Sequence, residues 1–192
     1  MTWWLRAHAV GASAVALAVC FVLAPLFSGS ALDVPALFTG NAGSVSVPLL
    51  LPLVPACALL YGMDRPPHAM EDTAVRPLHR GQLTVLASAV CLGGLLAALE
   101  STLLDFPLAL AVVRNLAGYL AVGLLVRRAF GPVYATAAVA AVPVACGLVG
   151  SGPGGGTRWW AWPQHDASSV PAAVEVGVLV LAAACFARTR RP

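Results

Sequence analysis

"PLALAVVRNLAGYLAVGLLVRRAF", residues 107–130, is apolar on every side except at Arg114-Asn115, and it closes on the pair Arg127-Arg128. A helix on the surface of a soluble domain carries a polar face opposite its apolar stripe, and this stretch has none. A hydrocarbon core about 30 Å thick needs roughly 20 apolar residues to cross it as a helix. The run meets that length, and the arginines fall where a spanning helix would leave the core.

The rest of the chain repeats the pattern. Of its 192 residues 59% are apolar and 10% charged, with a mean hydropathy of +0.85. A soluble domain is roughly 45–50% apolar and about 25% charged. Six segments are long and apolar enough to span: approximately 8–27, 43–61, 82–104, 107–130, 133–149 and 169–187. Barrel strands alternate apolar and polar residues, and these runs do not. The expected fold is therefore an all-α, polytopic transmembrane bundle of six helices, in one domain covering residues 1–192.

Orientation follows from the arginines; there are 11 basic residues and no lysine. Arg6 precedes the first run, Arg65, Arg76 and Arg80 lie between the second and third, Arg127 and Arg128 close the fourth, and Arg188, Arg190 and Arg191 follow the sixth. The loops on the other side hold Asp33, Asp105, Asp166 and a single Arg158. The positive-inside rule then places both termini in the cytoplasm and the chain in a bacterial cytoplasmic (inner) membrane. A cleaved signal peptide ending near Ala31 would instead leave five spans and an external N-terminus. The first run exceeds the ~7–15 residues of a signal core, which favours an uncleaved helix.

Within the second run, Pro48, Pro52 and Pro55 each remove a backbone donor and collide with the preceding turn, so a kink is expected. The freed carbonyls then need partners from neighbouring helices or water. A bent packing helix and a hinge or pathway wall are both open.

Three ionisable residues fall inside runs: Glu100, Arg114 and Glu175. Arg114 and Glu175 stand about seven residues, roughly 10 Å, from the outer ends of their helices, and Glu100 lies at similar depth. Intramembrane charges pair or face a wet cavity. The simplest expectation is a clasp in which Arg114 bridges Glu100, Glu175 or both, with Asn115 or Ser101 completing the hydrogen bonds. A polar vestibule or substrate contact is the alternative. No nucleophile–base pair, aspartate pair or metal-binding histidine set is arranged in the runs. The five cysteines stand singly and form no CxxC, so no metal site, disulfide framework or enzyme activity is expected. Nothing points to nucleic acid.

Two polar loops stand out. In "GMDRPPHAMEDTAVRPLHRG", 62–81, Pro66-Pro67 can open a short helix and Pro77 can end it. That helix would carry Met70, Glu71, Asp72 and Arg76, either as a solvated connector or as a coupling helix seated on a partner. In "GSGPGGGTRWWAWPQHD", 150–166, glycines give slack before Trp159, Trp160 and Trp162, which are expected at the outer interface as a belt or helix-end plug. Stacking on a hydrophobic molecule is the second reading. A metal site at His165-Asp166 is the third, and it lacks further ligands.

The six-run layout with a helical first cytoplasmic loop resembles type-2 ABC transporter permeases. "WAWP" at 160–163 and "RNLAGYLAVGLLVRR" at 114–128 look like those of small actinobacterial permease-like subunits grouped with them. The resemblance implies a membrane-spanning subunit of an exporter, permease or auxiliary, forming a homo- or hetero-dimer with another membrane subunit. A separate ABC ATPase subunit would supply ATP and Mg, and no cofactor would sit in this chain. The chain has no Walker-type GxxxxGK[ST], which fits that division of labour. It departs from the family in having no clear amphipathic helix before the first run, which leaves an auxiliary role open beside a pore-forming one. The rival class is a non-transporting membrane protein, an immunity or scaffold component.

Overall fold

The computed structural model describes residues 10–35, 42–64, 78–152 and 156–188. In chain order these form α1 (Val10–Leu26), a hairpin of β1 (Ala31–Pro35) and β2 (Ala42–Ser46), α2 (Val47–Leu50), α3 (Leu53–Asp64), α4 (Leu78–Leu103), α5 (Ala109–Phe130), α6 (Val133–Val149), a 3-10 turn (Trp162–Gln164) and α7 (Val170–Arg188). Because α2 and α3 are two pieces of one interrupted helix, the described residues make six helical rods.

Three of these are long and apolar enough to cross a membrane: Gly81–Leu103 within α4, Ala109–Phe130, and Val170–Ala187 within α7. α1 and α6 are shorter apolar helices of 17 residues each, at the lower limit for a span. The helical content agrees with the runs read from the sequence, and the boundaries move by a few residues.

The second run departs most from expectation. It does not begin as a helix at residue 43. Ala42–Ser46 is a strand, antiparallel to β1 with Ala31 opposite Ser46 and Leu32 opposite Val45. An all-α fold is thus corrected to a mostly helical one with a two-stranded sheet between α1 and α2. The local reason is in the residues: Gly43, Ser44 and Ser46 are weak helix formers, and Val45 is at home in a strand.

The expected kink is a full break. Pro48 sits in the first turn of α2, where its missing N–H costs nothing. The helix then stops at Leu50 and restarts at Leu53. Pro55 cannot donate to the carbonyl of Leu51, which takes the N–H of Val54 instead, at 3.1 Å.

α5 is the centre of the bundle. It packs against α4, α6, α7 and α3, and 56% of its apolar window is buried, against 28% for α4 and 17% for α7. Two glycines make this possible. A Cβ on Gly123 would collide with Leu60 of α3, and one on Gly118 would stand 2.5 Å from the ring of Trp162. The α5–α6 turn rests on Gly131, whose φ of +103° suits glycine.

Small residues are prominent in the interior, and many large apolar ones lie outside. Ala24, Ala56, Ala97, Ala109, Ala111, Ala135 and Ala172 are fully buried. Leu92, Leu95, Leu99 and Leu103 of α4 and Val174, Val178 and Leu181 of α7 face outward. Small residues inside let helix backbones approach where lipid offers no hydrophobic drive for association, and large apolar side chains outside are what a bilayer solvates.

Candidate functional site

The polar chemistry of the bundle gathers where the first turns of α5 meet the 3-10 turn between α6 and α7. Arg114 and Asn115 are consecutive on α5, and Tyr119 follows Asn115 by four residues, which sets those two on one face. Gly118 leaves the gap between them that Trp162 fills. Its ring meets that of Tyr119 at 5.2 Å and 54°, a tilted contact of the kind aromatic pairs prefer.

Arg114 is half-buried, and its guanidinium is held by backbone. Nη1 donates to the carbonyl of Asp166 at 2.7 Å. Nη2 donates to the carbonyls of His165 at 2.6 Å and Trp162 at 3.0 Å. Nε and Nη2 also lie 3.4 Å from Asn115 Oδ1. The carbonyls of Trp162 and Asp166 also accept from the N–H of His165 at 3.4 Å and of Ser169 at 3.2 Å, so for these two the cation is a second donor.

Asn115 completes the knot. It is fully buried, and its Nδ2 donates to Pro163 O at 2.9 Å and to Leu49 O at 3.1 Å. Leu49 lies at the α2–α3 break, and its carbonyl also accepts from the Tyr119 hydroxyl at 3.5 Å. The proline break therefore finds its partner in a neighbouring helix, as a membrane-embedded carbonyl must. One amide joins the broken helix, the central helix and the outer loop.

The loop is folded on itself as well. Ser151 and Thr157 form an antiparallel bridge, and Gly152 N–H donates to Gly156 O at 2.7 Å. The carbonyl of Arg158 accepts from Ala161 N–H and from His165 Nε2, the latter at 3.0 Å. With Ala161, Trp162 and Pro163 buried, the segment 158–166 is a cap pressed into the end of the bundle.

The expected glutamate clasp is replaced by this arrangement. Neither Glu100 nor Glu175 is among the hydrogen-bond partners of Arg114, and each leaves a buried Oε2 with no partner among the described residues. Asn115 does share in the Arg114 network, whereas Ser101 Oγ donates to Ala98 O at 2.9 Å within its own helix. A cluster of neutral carbonyls offers the guanidinium as many acceptors as a carboxylate pair, without a second charge to desolvate.

The three tryptophans part company. Trp159 is 71% exposed, Trp160 half-buried and Trp162 only 6% exposed. Trp162 is packed against Tyr119 and Trp159 faces outward. His165 turns to its own loop, and Asp166 is exposed; no group of three or more His, Cys, Asp or Glu that could hold a metal ion occurs among the described residues. Met70, Glu71, Asp72 and Arg76 lie outside the described residues. The residues missed from sequence are Tyr119, Gly118 and Pro163. The spacing Asn115–Tyr119 beside a glycine was the signal for the first two.

No protein-family model matches the chain, and no curated protein or solved structure matches it. No family is therefore assigned to the chain. The fold and the cap define a helical, multi-pass membrane protein.

Proposed function

We propose that the chain is a six-span subunit of a membrane complex, with both termini cytoplasmic. Within that class it serves as the membrane-spanning subunit, permease or auxiliary, of a type-2-like ABC exporter. A separate ATPase powers the complex, and no catalysis falls to this chain. The observation that carries the reading is the closed interior. Apart from Ser13, Gln82 and Asn115 the buried side chains among the described residues are apolar, and one end is stopped by Trp162 on its Arg114–Asn115 anchor. A subunit packed in this way offers its surfaces to a substrate rather than a bore of its own. A path would then run along a face shared with a second membrane subunit, and ATP-driven motion would reach the spans through the 67–77 segment.

The test is affinity purification of the tagged chain in mild detergent, with mass spectrometry of what accompanies it. An ABC ATPase should be recovered, and reversing Glu71 and Asp72 to Arg should weaken its recovery while membrane insertion is unchanged. Recovery of the chain without any ATPase, with a control complex intact, would refute the transporter reading. The rival, an immunity or scaffold component, draws on the same closed interior and expects a non-ATPase partner.

A further inference from the structure

The opposite end of the bundle holds a second feature that the proposed function does not use. The C-terminal turn of α5, the first half of α4, the end of α3 and the end of α7 converge on a cavity of about 250 Å³. Its lining is mixed in chemistry. Gln82, Arg127 and Arg128 supply polar groups, and Leu83, Leu124 and Phe186 supply an apolar wall. Gln82 is 7% exposed.

Arginines in the last turn of a helix complement its dipole, and that alone would account for two cations at the end of α5. It does not account for a hollow at that end lined by both arginines together with apolar side chains. The volume falls below the ~300–1,000 Å³ of sites for drug-sized ligands, which suits a small head group. The cavity also lies at the end of the apolar length of α5, where lipid head groups meet a spanning helix.

We propose that this cavity seats the phosphate of one anionic phospholipid. Arg127, Arg128 and Gln82 hold the phosphate oxygens, and the first carbons of an acyl chain lie along Leu83, Leu124 and Phe186. Guanidinium groups suit phosphate because their planar fork donates in parallel. Basic pockets between spanning helices are a recurrent form of lipid recognition. The apolar wall separates this ligand from free phosphate, which would use only the polar half. The inference rests on the chain's lying in a bilayer and is independent of any ATPase.

The experiment is native mass spectrometry of the delipidated protein in detergent, titrated with phosphatidylglycerol, phosphatidylcholine or inorganic phosphate. Phosphatidylglycerol should bind at one site and in preference to phosphatidylcholine, and millimolar inorganic phosphate should not displace it. Replacing both arginines, Arg127→Gln with Arg128→Gln, should weaken binding on the order of thirty-fold, from the usual contribution of two cations near a membrane surface. Leu83→Trp, which narrows the cavity and keeps both arginines, should also abolish the single site. Arg158→Gln, which removes a charge from the loop at the other end, should leave binding intact. Equal retention of the two lipids, displacement by phosphate, or as large a loss in Arg158→Gln would each overturn the proposal. Those outcomes can be read even if the double variant does not fold.

Discussion

Arg114→Leu is the perturbation that discriminates most sharply between ways of burying a charge. In the structure it takes the guanidinium from the carbonyls of Trp162, His165 and Asp166, of which the first and last keep a backbone N–H partner, and it removes one neighbour of Asn115 Oδ1. Polar bonds between membrane helices contribute about 0.6 kcal/mol on average, and bonds to charged groups in soluble proteins about 1.5–3 kcal/mol. Asp166 is exposed and can turn its carbonyl to water, whereas Trp162 is buried. Three bonds of intermediate strength then give a loss of about 2–4 kcal/mol, or roughly 4–16 °C in melting temperature for a chain of this length. The assay is a detergent melting curve, repeated with Glu100→Leu and Glu175→Leu in the wild-type and Arg114→Leu backgrounds. Because neither carboxylate touches the guanidinium, the coupling between the two changes should stay below about 0.5 kcal/mol, as for sites without shared partners. A coupling of several times that size, with the glutamate changes rescuing Arg114→Leu, would refute anchoring by carbonyls and restore the ion-pair clasp.

Other expectations follow from the same contacts. Gly118→Ala places a methyl group against the Trp162 ring, so the indole should shift out of its pocket. The cost should be about 1–3 kcal/mol, as for overpacked cores, with a red-shifted emission and greater acrylamide quenching; unchanged fluorescence and melting would show that the cap does not bear on Gly118. The six-span topology expects reporter fusions at residues 35 and 160 to read external and those at 72 and 192 cytoplasmic. A cytoplasmic signal at residue 160 would overturn it.

The helices were legible because a bilayer imposes length and apolarity together, and runs such as 133–149 contain little else. The break at Pro52 was legible for a local reason, the missing N–H of each proline. The β1–β2 hairpin was hidden because Val45 and Val47 continue the apolar run of the helix that follows. The partners of Arg114 could not be read at all. Its side chain advertises a charge, which directs attention to Glu100 and Glu175, while the acceptors that hold it are backbone oxygens that every residue carries. Trp162 was grouped with Trp159 by composition, and only the gap at Gly118 separates their environments.

The anchor of Arg114 has a consequence for the order in which the chain is made. Its acceptors lie 48, 51 and 52 residues further along. At roughly 5–20 residues per second of synthesis, the guanidinium leaves the ribosome about 3–10 s before the last of them. During that interval α5 carries its cation with no carbonyl cradle yet made, and water or the insertion machinery must hold it near the bilayer surface. The central helix can pack on α3, α4 and α6 as these emerge, but its cation gains its cradle only when the loop before α7 arrives.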